Sequence, residues 1–275
     1  MDDDPILHTR ACRILGCRYP ILQAGMGGVA RSELVAAVTA AGGYGFLGMV
    51  REPPELIAGQ IAAVRARTDA AFGVNLIPAA TDPGLLAEQL AVCFEQRVHA
   101  LCFFWSVDAR AVAAAKAAGC VVAYQVGSVR AAIDAEAAGA DLIIAQGFEA
   151  GGHVHGSVSA LVLLPQGVQA VRVPVIASGG FASGASLVAA LALGAHGIHC
   201  GTAFLATRES FAHDYHKRRI IEARSGDTVH TDAFAINWPA HSPVRVLANS
   251  SVATLGGRLL GHEPDQLPRQ PIADE

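Results

Sequence analysis

Short apolar runs alternate with Ala-rich amphipathic segments along most of the chain, and this alternation predicts the secondary structure. The runs are continuous rather than alternating, as expected for parallel strands that are buried on both faces. They predict strands over residues 21–24, 44–47, 72–76, 100–104, 121–125, 142–145, 175–177 and 197–200. The segments between them, several of which open with Ser, Asp or an early Pro, predict helices over residues 32–41, 54–67, 83–96, 108–118, 128–138, 158–171 and 184–193.

A weak internal repeat supports the same order of elements. Four segments each contain a helix end, a glycine at the C-cap and the start of a strand: "AAGGYGFLG" (40–48), "AAGCVVAYQ" (117–125), "AAGADLIIA" (137–145) and "ALGAHGIHC" (192–200). Eight strands, each followed by a helix, predict an α/β fold of the (β/α)₈ TIM barrel type rather than an open doubly wound sheet. We expect the barrel to span residues 1–207, and the more polar segment 208–275 to form a short C-terminal extension that packs on the same domain.

Composition narrows the class of protein. Hydrophobic residues make up 52% of the chain and charged residues 16%, which fits a large buried core. The net charge of −4 is spread without a basic run, so nucleic acid and anionic membranes are not expected partners. The six cysteines show no C-x-x-C spacing, and the sequence contains neither a signal-peptide pattern nor an uninterrupted apolar stretch of membrane-spanning length. We therefore expect a soluble cytoplasmic protein.

Glycines and small hydroxyl residues cluster where the barrel strands are expected to end, which is where TIM barrels carry their active sites. Two of these loops, "SGGFASG" (178–184) and "GTAF" (201–204), follow the seventh and eighth predicted strands and favour a phosphate site. Ser178, Gly179, Gly180, Gly201 and Thr202 would supply backbone N–H groups and hydroxyls without a cation inside either loop. The alternative is that the glycine pair only makes a tight turn from strand to helix.

Two histidines follow the sixth predicted strand in "EAGGHVHG" (149–156). A metal site needs three or four protein ligands, and no third ligand is evident, so we expect no metal. A neutral imidazole can accept a proton from a weak carbon acid, and Gly151 and Gly152 would hold one over a ligand at the rim. His153 is the candidate base, while a polar loop residue describes His155 better. Glu149 either orients His153 or faces solvent.

Together these motifs resemble the nitronate monooxygenase family, also called the 2-nitropropane dioxygenase family, of FMN-dependent TIM-barrel enzymes. The resemblance covers roughly residues 14–210 and rests on "YPILQAGMGG", "FGVNL", "IAQGFEAGGH" and "PVIASGGFASGASLVAALALGAHGIHCGTAFLAT". It implies that FMN lies across the barrel mouth and that His153 is the catalytic base. The implied cofactor-binding residues are Gly25, Met26, Asn75, Gln125, Gln146, Gly151, Ser178, Gly179, Gly180, His199, Cys200, Gly201 and Thr202.

The resemblance also implies an activity: oxidation of an alkyl nitronate with O₂ to a carbonyl compound and nitrite, with His153 deprotonating a neutral nitroalkane. Gly25 stands where many monooxygenase members have Pro, and Gly at this position also occurs in relatives that are NAD(P)H:quinone reductases. Flavin-dependent enoyl-acyl-carrier reductases share "EAGGH". An FMN enzyme that uses NAD(P)H to reduce a quinone or an enoyl thioester is therefore the second interpretation. From another class, a phosphate-ligand-binding barrel without flavin is the third.

Overall fold

The computed structural model describes residues 7–234, 238–239 and 242–255. Within these ranges, eight parallel strands form a closed barrel, and the last strand pairs with the first. These barrel strands are β1 (Ile21–Gln23), β2 (Tyr44–Gly48), β3 (Gly73–Leu76), β4 (Ala100–Phe104), β5 (Val121–Val126), β6 (Leu142–Gln146), β8 (Val175–Ser178) and β9 (Ile198–Cys200). The two-residue strand β7 (Gly152–His153) lies outside the barrel. The predicted (β/α)₈ TIM barrel is confirmed, and every predicted strand overlaps an observed one.

Helices connect the strands as the sequence predicts. They are α1 (Arg10–Leu15), α2 (Ser32–Ala40), α3 (Pro54–Arg65), α4 (Pro83–Glu95), α5 (Ala109–Ala117), α6 (Val129–Ala138), α7 (Ala160–Ala170), α8 (Gly184–Ala192), α9 (Thr202–Leu205), α10 (Asp214–Glu222) and α11 (Ser250–Leu255). The four glycines of the repeat all have positive φ, between 82° and 107°, at the turns from helix to strand, a conformation that glycine adopts without strain: Gly42, Gly119, Gly139 and Gly194. No helix in the described part of the chain is long and apolar enough to cross a membrane.

The core has two layers. One lies between the barrel wall and the surrounding helices, and the other fills the barrel interior. The interior layer includes Ala11, Cys12 and Leu15 of α1, which pack with barrel residues such as Phe46 and Ile176. Helix α1 therefore closes the N-terminal end of the barrel and leaves the opposite end for a ligand.

A second sheet joins the segment that follows the barrel to the loop after β6. Strands β10 (Thr228–Thr231) and β11 (Val244–Leu247) are antiparallel, and β11 also pairs with β7, so that Val244 lies opposite His153. The sequence predicts a loop here, because a two-residue strand has no periodicity to detect. The division into a barrel over residues 1–207 and an extension over 208–275 stays a prediction, and residues 256–275 lie outside the described ranges.

Candidate active site

Glycines at the barrel mouth bring several of the predicted site residues into close contact. A Cβ atom added to Gly25 would lie 2.2 Å from Cβ of Asn75. One added to Gly151 would lie 2.7 Å from Oγ1 of Thr202, and one added to Gly201 would lie 3.7 Å from Sδ of Met26. The ends of β1, β3, β6 and β9 therefore meet around one opening, where backbone rather than side chains forms the surface.

The loop after β8 turns on a pair of glycines and leads into α8. Gly179 and Gly180 have φ angles of 99° and 77°, which glycine adopts without strain. At the N-terminus of α8, Ser183 Oγ accepts the N–H of Ser186, and Ser186 Oγ accepts the N–H of Ser183. This capping box already uses N–H groups of the first turn of α8. The capping box does not involve the N–H groups of the glycine pair or those at the start of α9, which has no side-chain cap.

Two predicted residues, Ser178 and His199, lie below the rim, inside the barrel. Ser178 Oγ and His199 Nδ1 are 3.1 Å apart, and both residues are buried. His199 Nε2 has no hydrogen-bond partner within the described ranges. Burial lowers the pKa of His199 to about 4 and raises the pKa of the Cys200 thiol to about 11. His199 and Cys200 are therefore neutral at neutral pH. Ser178 and His199 form the floor of the mouth, whereas Cys200 packs between the barrel wall and the surrounding helices.

Buried amides surround the opening and leave acceptors unused. Gln146 Nε2 donates to the carbonyl oxygen of His153 over 2.9 Å, and Asn75 Nδ2 donates to that of Cys102 over 3.0 Å. Gln125 is buried on β5. Gln23 of β1 donates from Nε2 to the carbonyl oxygen of Phe46, but its side chain faces α2 rather than the opening, because a Cβ added to Gly45 would meet both Val35 and Oε1 of Gln23. The Oε1 atoms of Gln23 and Gln146 are buried without a partner in the described part of the chain, and buried acceptors of this kind are rare in proteins except where a ligand or water completes them.

His153 is held as a neutral imidazole. Its Nε2 is buried and has no partner among the described residues, so the hydrogen bond that the ring makes to the Phe234 backbone belongs to Nδ1. The pKa of His153 is lowered to about 4, mainly by burial; the Phe234 hydrogen bond opposes this shift, and the nearby charge of Arg51 adds to it. An imidazole that carries its proton on Nδ1 offers a lone pair on Nε2, as a general base requires.

Aromatic rings surround this imidazole, and most of them lie outside the predicted site. The His153 ring stacks on Trp238 with a centroid distance of 3.8 Å and an interplanar angle of 16°. Trp105, at the end of β4, lies 5.2 Å from Trp238 and 4.5 Å from the ring of His155. His155 therefore packs on an indole. In the described ranges no group of three or more His, Cys, Asp and Glu side chains could hold a metal ion.

Two non-glycine residues at the mouth have positive φ: Trp105 at 83° and Arg51 at 56°. Backbone strain of this kind costs about 1–3 kcal/mol and clusters at functional sites. Neither Arg51 nor Trp238 could be assigned to the site from the sequence, because neither belongs to a glycine-rich loop. The positive φ angles are visible only in the structure.

Glu149 has a structural role. Both of its carboxylate oxygens lie 3.1 Å from the backbone nitrogen of Ala160 and accept its N–H at the start of α7. Ser159, which occupies the N-cap position, makes no side-chain cap bond. Of the two alternatives for Glu149, solvent exposure is the one that describes it: the residue is exposed, and its carboxylate also caps a helix.

Comparisons with known proteins identify the family of the chain. The family model for nitronate monooxygenase matches residues 8–258. A "(3aS,4S,5R,7aS)-5-hydroxy-7a-methyl-1-oxo-octahydro-1H-indene-4-carboxyl-CoA dehydrogenase" of Mycobacterium tuberculosis is 39% identical over 228 residues, which are 82% of this chain and 63% of the relative. The chain thus spans less than two thirds of that relative's length.

Two solved structures share both fold and sequence with the chain. FabK from Thermotoga maritima has a TM-score of 0.81 at 37% identity, over 87% of this chain and 74% of that one. A nitroalkane oxidase from Streptomyces ansochromogenes has a TM-score of 0.81 at 32% identity, over 90% of this chain and 81% of that one. With a family model that covers nearly all of its length, the chain belongs to the nitronate monooxygenase family of flavin oxidoreductases.

Proposed function

We propose that the chain is an FMN-dependent enzyme that oxidises alkyl nitronates with O₂, and that His153 is its catalytic base. The observation that carries this proposal is the lone pair of a neutral, buried imidazole, His153 Nε2, which has no protein partner in the described part of the chain. It lies on the loop that also brings Gly151 against Thr202 at the mouth.

The residues at the mouth fit FMN. The Gly179–Gly180 turn and the uncapped start of α9 can bind a phosphate through N–H groups, without a cation. The unpartnered Oε1 of Gln146 can accept a hydrogen bond from a heteroaromatic ring that carries an N–H group. Bound FMN would supply the redox chemistry, accepting two electrons from the substrate and passing them to O₂.

The protein's own part in the reaction is proton transfer and charge placement. His153 Nε2 would take the proton from the carbon beside the nitro group of a neutral nitroalkane. Arg51, whose positive charge acts on His153, would favour the nitronate anion over the neutral acid. The Phe234 bond keeps the imidazole in the tautomer that this step needs. A preformed nitronate has already lost that proton and needs no base.

A second candidate is favoured by the relative that is named a carboxyl-CoA dehydrogenase and is 39% identical. In this case the same mouth would exchange electrons between a thioester substrate and NAD(P)H.

An anaerobic mixing experiment with the purified, yellow holoenzyme distinguishes the two candidates. Loss of flavin absorbance on mixing with a nitronate, but not with NADH or NADPH, supports the proposal. Rapid bleaching by a nicotinamide supports the dehydrogenase, and a colourless protein that cannot be reconstituted with FMN rejects both.

His153→Asn tests the role of the base. We expect kcat/KM for a neutral nitroalkane to fall about 10²–10⁴-fold, the usual contribution of a general base. Turnover of preformed nitronate and the FMN content should stay close to those of the wild type. His155→Asn is the matched control, because His155 packs on Trp105 and is not assigned to proton transfer. Equal loss on both substrates, or no loss on the neutral one, would remove His153 from this role.

A further inference from the structure

We propose that Trp238 is a positioning residue, which holds the His153 imidazole in the plane that presents Nε2 to the substrate. The proposal rests on the proposed role of His153 as the base. The two rings are almost parallel, with an interplanar angle of 16°, and their centroids are 3.8 Å apart. Contact across a full ring face restrains rotation of the imidazole about its side-chain torsions.

The indole of Trp238 packs against two further aromatic rings. It meets Trp105 at 5.2 Å and Phe104 at 6.3 Å, both in tilted or edge-to-face geometry, and both of these residues are only 6% exposed. Trp105 also approaches His153 edge-on at 6.4 Å. The imidazole therefore has one face against Trp238 and a nearly perpendicular ring, Trp105, beside it, and the two indoles together define its plane.

The same stretch of chain holds His153 in two further ways. Phe234 provides the backbone hydrogen bond to the ring, and Val244 of β11 pairs with His153 in the main chain. Phe234, Trp238 and Val244 all come after the barrel in the sequence, so one segment fixes the backbone, the tautomer and the plane of a residue that the barrel supplies. Ordinary core packing does not account for this, because the enclosed side chain is a histidine whose Nε2 is left without a partner.

The surroundings of the imidazole define what loss of the indole would change. Arg51 contributes a positive charge from the loop after β2, and His155 packs on Trp105. Trp238 and Phe234 complete the enclosure. Removal of the indole would admit water to one face of the ring and free its rotation. The base would then be misplaced, and its pKa would rise towards the ordinary value because less of the ring would be desolvated.

The test compares Trp238→Leu and Trp238→Phe with the wild-type holoenzyme. We expect Trp238→Leu to lower kcat/KM for a neutral nitroalkane by about 10–100-fold, as misplacement of a reacting group does, while turnover of preformed nitronate changes less than about threefold. The acidic limb of the pH profile for the neutral substrate should move to higher pH. Trp238→Phe keeps a stacking face and should recover most of the activity and the profile.

A readout that does not depend on turnover is the NMR signal of the His153 ring, assigned by its loss in His153→Asn. In the wild type, the indole ring current should shift the signal upfield, and the ring should titrate well below pH 6.5. In Trp238→Leu, the upfield shift should vanish and the titration midpoint should rise. An unchanged midpoint, or an equal loss of activity on both substrates, would overturn the proposal. An enzyme that shows these NMR changes but oxidises no nitronate would reject the proposed function alone.

Discussion

Gly25 and Gly48 keep the ends of the first strands close to their neighbours, and each does so by lacking a Cβ atom. A Cβ on Gly48 would lie 2.1 Å from the carbonyl oxygen of Met26, and one on Gly25 would lie 2.2 Å from Asn75 Cβ. Real Cβ atoms do not approach other atoms so closely. At these positions glycine is required by the space available rather than by a left-handed backbone conformation.

We expect Gly25→Ala to lower the free energy of unfolding by about 1–3 kcal/mol, because Asn75 and the strand end must move apart. Gly59→Ala is the matched control: Gly59 lies within α3, and an added Cβ would have nothing within 4 Å. That change should raise the free energy of unfolding by roughly 0.5–1 kcal/mol, since alanine favours helix. Urea unfolding of both variants measures the difference, and effects of the same sign would contradict the argument.

The sequence was sufficient to predict some of these residues and not others. His153 and the glycines could be predicted because each belongs to a short motif that follows a predicted strand. Trp238 was not, because it lies in a polar segment without periodicity, and only the tertiary fold brings it against His153. The unpartnered Oε1 of Gln23 also depends on the packing of neighbouring strands.

Long, buried secondary-structure elements could be predicted from the sequence, and two of the short ones could not. The barrel strands appear as continuous apolar runs because helices cover one face and the interior layer covers the other. Strand β7 was missed, because two residues carry no pattern and its partner, β11, follows more than 90 residues later. Helix α1 was missed because it has only six residues.

Substitutions at the start of α7 test whether Glu149 caps this helix. Glu149→Ala removes the acceptor for the Ala160 N–H and should cost about 1 kcal/mol of stability, as the loss of a helix cap does. Glu149→Gln keeps an acceptor and should cost less, while Ser159→Ala should be neutral because Ser159 makes no side-chain cap bond. The free energies of unfolding of the three variants decide this. A larger effect of Ser159→Ala than of Glu149→Ala would reverse the assignment.

At the scale of the whole molecule, burial of histidines makes the fold sensitive to acid. Burial is the largest cause of a lowered pKa at seven of them: His99, His153, His155, His196, His199, His216 and His230. The unfolded chain binds protons at these groups near pH 6.5, whereas His153 and His199 bind them in the fold only near pH 4. Stability is therefore present above pH 6.5 and is lost as the pH falls towards 4.

We expect the free energy of unfolding to fall by about 2.7 kcal/mol per pH unit near pH 5, because at least two protons are taken up on unfolding. Urea unfolding at several values between pH 5 and pH 8 measures this slope. His199→Gln should reduce this slope by about half, because one of the two protons is no longer taken up on unfolding. A slope unaffected by that substitution would show that His199 is not protonated differentially.

The β7–β11 pairing can form only late in the synthesis of the chain. Gly152 and His153 leave the ribosome more than 90 residues ahead of their strand partners Arg245 and Val244. During synthesis, all the barrel strands are complete before residue 244 is added, and with them the glycine loops at the mouth. The nascent chain thus acquires the glycine-rich mouth before it acquires the segment that encloses His153. Because of the same separation in sequence, substitutions in the segment around Trp238 can change the surroundings of His153 without changing the glycine loops at the mouth.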